Sequence, residues 1–181
     1  FFFDFNFLNE IKERDLPKDW KVRHPNMQEG GESIGRRYME SFFRGRVLNY
    51  SKNIGKPDES RKSCSRLSPY IAWGNLSIRQ VYQEAESYKF ENPSNSSNVK
   101  NFQSRLQWHC HFIQKFEMEC RIEFENLNKG FDKFERHKNQ TKLDAWKEGK
   151  TGFPLVDACM SCLKETGYLN FRMRAMLVSF L

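Results

Sequence analysis

Between residues 30 and 50 the chain reads GGESIGRRYMESFFRGRVLNY, and Tyr38, Phe42, Phe43 and Val47 recur at three-to-four spacing with arginines between them. That period puts the large apolar groups on one side of a helix and the guanidinium groups on the other. The period returns in SIRQVYQEAESYKF (77–90), in FQSRLQWHCHFIQKFEMEC (102–120) and again after Pro154. No run alternates apolar and polar residues for long enough to make a strand, and no internal repeat occurs. The expected fold class is therefore all-α.

Local punctuation divides the helices. Ser33 is a candidate N-cap for the first, which is expected to end near Leu48. Residues 49–65 turn polar, with Gly55, Pro57 and Asp58 marking a loop. Ser68 before Pro69 reads as a cap followed by proline at the first helical position, and Gly74 with Asn75 stops that short helix. Ser77 and Gln80 make a capping box for the next one. After the loop-like ENPSNSSNVKN, a long helix is expected from about Val99, with Phe102, Leu106, Ile113 and Phe116 among polar residues and a break at NLNKGF. Residues 129–143 read as charged and solvated; Pro154 opens a further helix and Gly167 closes it before a last one.

The 181 residues amount to about one domain. The formal net charge of +7 favours anionic partners. Cys64, Cys110, Cys120, Cys159 and Cys162 are odd in number and lack framework spacing, so free thiols in a reducing compartment, cytoplasmic or nuclear, are the simpler reading. FFFDFNFLNEIKERD at the start is too briefly apolar for a membrane span and lacks the marks of a signal peptide; no later window suits a bilayer. The missing initiator methionine and the uncapped AMLVSFL end suggest a fragment, with residues 1–29 a lead-in and 30–181 a partial domain.

Several stretches carry candidate chemistry. Ser65, Arg66, Leu67, Ser68 and Pro69 lie at a loop-to-helix junction, which reads either as an ordinary cap with a surface arginine or as a diphosphate cradle. Cys159 and Cys162 have the spacing of a zinc half-site without a second half, and packing cysteines explain them better. His109 and His111 flank Cys110, but residues two apart on a helix diverge by about 200° and do not share a metal easily. Arg105, Trp108 and Phe112 form a stripe that is either core or a flat wall for a stacking ring. In TGYLNFRMRAM, Asn170 and Arg174 are four apart and are expected on one helix face, with Arg172 pointing elsewhere.

Four stretches together, SCSRLSPYIAWGNLSIRQVY, LQWHCHF, WKEGKTGFPLVDACMSCLKETGY and NFRMRAMLVSFL, resemble the photolyase/cryptochrome flavoprotein family in order and spacing. The resemblance implies a helical domain holding a U-shaped FAD in a cavity that faces DNA or solvent. Tyr50, Cys64, Ser65, Arg66, Leu67 and Ser68 then correspond to phosphate-side contacts. Phe102, Arg105, Trp108 and His109 correspond to the helix wall beside flavin and substrate. Asn170, Phe171 and Arg174 correspond to the stretch along the isoalloxazine. The implied activity is that of a deoxyribodipyrimidine photo-lyase, a carbon–carbon lyase in which excited reduced FAD lends an electron to a pyrimidine dimer; Trp108 would stack on the lesion, and Arg105 or Arg172 would meet DNA phosphates.

The chain also departs from that family. Arg105 stands where repairing members usually carry Glu or Gln, His109 where Arg follows the cavity Trp, Phe171 where a polar group approaches the flavin, and Ala175 where bacterial repair enzymes have Met. The outer relay tryptophan of the family falls near Arg136. These departures favour the alternative of a cryptochrome-like blue-light sensor with a signalling partner in place of damaged DNA; a flavin-free helical module is the third reading.

Overall fold

A computed structural model describes residues 22–134 and 138–181, so the chain's first 21 residues and Arg136 lie outside the described part. The described residues are helical and contain no strand. The helices are α1 (Glu32–Arg44), α2 (Tyr50–Asn53), α3 (Glu59–Ser63), α4 (Ser68–Ala72), α5 (Ile78–Glu91), α6 (Ser96–Met118), α7 (Gln140–Glu148), α8 (Pro154–Thr166) and α9 (Phe171–Phe180).

Helix α1 buries Met39, Phe42 and Phe43, the face its spacing predicts. Its N-cap is Gly31, and Ser33 lies within the first turn without acting as cap. The α-helix stops at Arg44, short of Leu48, because the chain tightens at Gly45 into a 3₁₀ turn over Arg46–Asn49. The loop expected over 49–65 contains α2 and α3, separated by the turn at Gly55 and Pro57; burial of Tyr50 and Ser60 overrides their polar setting. In α5 the capping box forms as read, with Ser77 and Gln80 each bonding the other's backbone N–H. Helix α6 begins at Ser96, ahead of the expected Val99, and ends at Met118, ahead of NLNKGF. Within 129–143, a 3₁₀ turn over Lys129–Lys133 and the start of α7 add order to the charged stretch.

The core falls into two clusters. In the first, Phe42 stands at the centre of an aromatic web, 4.8 Å from Phe102 and 5.6 Å from Tyr50 between ring centroids. The second gathers Val156, Cys159, Met160, Leu169, Met173 and Leu177 beneath Trp146. Cys159 is buried and Cys162 half-buried, as packing cysteines should be, and both are free thiols.

Helices α7 to α9 are delimited by backbone chemistry that sequence exposes. Pro154 opens α8 at a position that needs no N–H, and Gly167 closes it in the left-handed region at φ +62°. Asp157 folds its carboxylate back onto the preceding turn, accepting from Thr151 N at 2.8 Å, Thr151 Oγ1 at 2.7 Å and Gly152 N at 3.0 Å.

Asn170 joins the clusters. Buried at 6% exposure, it caps α9 by accepting from Met173 N at 2.9 Å, while its amide donates to Ser60 Oγ on α3. It therefore stands at the N-cap, its carbonyl accepting from Arg174 N at 3.0 Å as the four-residue spacing leads one to expect, but its side chain is buried whereas that of Arg174 is exposed. Beside it, Arg61 Nη1 donates to Cys162 Sγ at 2.7 Å and to Tyr168 O at 3.2 Å.

Two stability measurements follow. Asn170→Ala removes a cap and the buried bond it donates to Ser60 Oγ, which keeps only its own bond to Pro57 O, so chemical denaturation should show a loss of about 2 kcal/mol. The Thr151 hydroxyl bond, the largest influence, with the backbone N–H groups of Thr151 and Gly152, holds the Asp157 carboxyl below its ordinary value against a smaller desolvation effect. A lowered folded-state pKa gives stability present above the unfolded value of about 4 and lost as pH falls through the folded value. Asp157→Asn should flatten that part of the acid limb in a melting-temperature profile against pH.

Candidate functional site

The stretch from Cys64 to Ser68 enters α4 through an unusual backbone. Arg66 is the one non-glycine residue with positive φ among those described, at +59°. Ser65 Oγ accepts from Leu67 N at 3.4 Å, and Leu67, almost fully buried, occupies the N-cap position. Ser68 makes no capping bond and instead begins the helix, with its side chain exposed. With only five residues, α4 supplies little dipole. Attraction for an anion at this junction must come from side chains, not from the helix terminus that sequence suggested.

Guanidinium groups supply it. Arg66 Cζ lies 4.6 Å from the Tyr168 ring centroid and Arg61 Cζ lies 6.0 Å from it. Burial raises the Tyr168 hydroxyl pKa; Cys64 adds to the rise, whereas Arg66, Arg174 and Arg61 oppose it. Burial also raises Tyr50, with Cys64 adding and Arg105 opposing. The Cys64 thiol is pushed up to about 11 by burial, against the pull of Arg46. These mutual influences place Tyr50, Cys64 and Tyr168 in one electrostatic neighbourhood with five arginines.

The arginines divide by what their donors already do. Both Nη groups of Arg46 are engaged: they donate to Cys64 O, to Tyr38 O at 2.7 Å and to Ser41 Oγ at 2.7 Å, and burial lowers its pKa. Its work is to hold the loop's carbonyls. Like Arg46, the side chains of Arg61, Arg66, Arg105, Arg172 and Arg174 form no ion pair among the described residues; Arg61 is engaged by Cys162 Sγ and Tyr168 O, whereas the Nη groups of Arg66 make no hydrogen bond there. Arg105 Nε is buried without a hydrogen-bond partner among the described residues. An unmatched buried donor on a cation costs free energy until an acceptor meets it.

Along α6, Arg105 Cζ sits 4.7 Å from the Trp108 ring centroid, and Phe112 meets Trp108 edge-on at 6.4 Å. Trp108 is 47% exposed and Phe112 54%, so these two rings lie at the surface of the described residues. Ile113 and Phe116 are exposed too. His109 is exposed one turn after Arg105. No group of three or more His, Cys, Asp or Glu among the described residues could hold a metal. No described helix is long and apolar enough to cross a membrane.

The remaining site residues lie on α9 and beneath the wall. Phe102 and Tyr50 are core side chains at 3% and 5% exposure. Phe171 is exposed, as are Arg174 and Ala175. Arg172 covers the turn at Gly55, where an added Cβ would come 3.4 Å from its Nε. Asn170 is occupied by its two structural bonds. Two open grooves lie nearby, one of about 350 Å³ bordered by Tyr82, Leu106 and Cys110, the other of about 550 Å³ bordered by Arg44, Arg46 and Lys62; neither is lined by Ser65 to Ser68. Sequence reading missed Gln28, Arg46, Arg61 and Tyr168, whose parts depend on contacts across many residues; only the aromatic after Gly167 offered a local signal.

The chain has known relatives. The family model for the FAD binding domain of DNA photolyase matches residues 102–181. A deoxyribodipyrimidine photo-lyase of Halobacterium salinarum is 30% identical over 156 residues, covering 84% of this chain and 32% of that protein. A cryptochrome DASH of Synechocystis is 34% identical over 157 residues, covering 84% and 31%. Among solved structures, the Synechocystis cryptochrome superposes with TM-score 0.81 at 28% identity over 91% of this chain and 35% of that one. A class III photolyase from Agrobacterium tumefaciens gives TM-score 0.81 at 24% identity over 92% and 34%, a likeness of fold. The chain thus spans about a third of the length of these relatives.

The cofactor of the matched domain is FAD. The residues present fit it: a diphosphate would meet the Arg66 Nη donors, which make no hydrogen bond among the described residues. Helical architecture, a matching domain and relatives under both family names agree, and the chain belongs to the photolyase/cryptochrome family.

Proposed function

We propose that this chain supplies the FAD-holding helical part of a photolyase-like protein that uses light to repair pyrimidine dimers in DNA. The observation that supports it is the Arg66 guanidinium, whose Nη groups make no hydrogen bond among the described residues, together with the exposed ring of Trp108 on α6. Reduced FAD supplies a light-driven electron when bound. The protein's own residues bind and orient.

In this reading Ser65, Arg66 and Ser68 take the diphosphate, while Tyr50, Cys64, Leu67 and Phe102 stiffen the floor beneath it, the Cys64 N–H donating to Ser60 O and its carbonyl accepting from Arg46. Phe171 and Arg174 run along the ring system, and Asn170 serves by fixing where α9 begins. The Trp108 face takes an unstacked base, with His109 and Ala175 at its margin. Arg105 and Arg172 meet phosphates of damaged DNA.

A cryptochrome-like sensor without repair is the second reading, favoured by the cationic Arg105 in place of an acid and by the exposed apolar Phe171. The full-length protein purified in the dark should show flavin bands in its visible spectrum; their absence would support a flavin-free module. With dimer-containing oligonucleotide, reductant and blue light, dimers should disappear. Retained flavin with no loss of dimers would select the sensor.

The wall gives a separate check. Trp108→Ala should weaken binding of the damaged oligonucleotide about tenfold, the effect of losing one base-stacking platform, with flavin content unchanged. Arg105→Gln should reduce the slope of log affinity against log salt by roughly 0.9, one duplex phosphate's share.

A further inference from the structure

The left-handed backbone of Arg66 is disfavoured for any residue with a Cβ, so something outside its own turn must hold it there. Gln28 does so with both ends of its amide. Gln28 Nε2 donates to Arg66 O at 3.1 Å, and Arg66 Nε donates to Gln28 Oε1 at 2.9 Å, a reciprocal clasp across 38 residues. On the other side the Tyr168 ring backs the guanidinium at 4.6 Å.

This arrangement leaves the end of Arg66 open. Its Nε is taken by Gln28 and one face lies toward Tyr168, while neither Nη group makes a hydrogen bond among the described residues. Two parallel donors held in a fixed plane are what a phosphate oxygen pair accepts best. The segment carrying Gln28 is anchored independently, since Tyr70 Oη donates to Glu29 O at 2.8 Å and Met27 packs against Gly167. Removing the Gln28 amide therefore frees Arg66 without releasing the segment.

We propose that Gln28 is a positioning residue that presents Arg66 to the diphosphate of FAD. The proposal rests on the reading of Arg66 as a diphosphate ligand. Gln28→Met keeps the side chain's length and removes both bonds; in the full-length apoprotein, titrated with FAD and followed by flavin fluorescence, it should weaken binding about tenfold, the scale of one charge-assisted bond. Because Gln28 acts on the Arg66 side chain as well as on its carbonyl, which Arg66→Ala retains, the loss should be clearly smaller when Gln28→Met is added to Arg66→Ala. An equal loss in both backgrounds would overturn the positioning role. No loss from Gln28→Met, with a clear loss from Arg66→Ala, would overturn it too while leaving Arg66 as ligand. Unchanged affinity in Arg66→Ala would remove the diphosphate assignment itself. Melting of each apoprotein verifies folding, and Gln28→Ala provides the same cycle if the methionine variant does not fold.

Discussion

The buried amide of Asn170 is bound at once to the start of α9 and to Ser60 on α3, and the placement of the two apolar clusters depends on it. Each cluster is small for a domain and gains from sharing a boundary. A buried amide that must satisfy both its donor and its acceptor permits few relative placements of the pieces it joins, since any other leaves polar groups unmet. Fixing α9 in this way sets Arg172 over the Gly55 turn and brings Arg174 into the neighbourhood of Tyr168.

That neighbourhood has an electrostatic imbalance with a chemical meaning. Cys64, with its pKa near 11, stays a neutral thiol at pH 7, and burial keeps Tyr50 and Tyr168 protonated as well. None of them offsets the arginines. Arg46 resolves its own burial by binding carbonyls, whereas Arg66 and Arg105 retain open donors. The same residue type thus appears in two roles, one holding the loop and the other available to an anion, and hydrogen-bond saturation separates them.

Sequence was most informative where structure depends on neighbours in the chain. The capping box at Ser77 and Gln80, Pro154 at the head of α8 and Gly167 at its end all rest on backbone geometry within a few residues. Reading failed where burial decided. The segment 49–65 has loop composition yet contains two helices, because Tyr50 and Ser60 are buried against elements far along the chain. The cap expected of Ser68 passed to Leu67, whose burial matters more than a hydroxyl bond. The stripe of Arg105, Trp108 and Phe112 had the same periodicity whether buried or exposed; burial alone separates the two, and Trp108 and Phe112 are exposed among the described residues.

By itself the sequence determined an all-α fold, its principal helix boundaries and the family to which four stretches point, because helical period, caps and motif spacing are properties of nearby residues. Only tertiary structure decided which arginines are spent and which are open, that Asn170 is a buried joint while Arg174 is exposed, and that Gln28 holds Arg66. Those outcomes turn on hydrogen bonds spanning 38 residues in one case and 110 in another, and no local pattern specifies which distant donor will meet which acceptor.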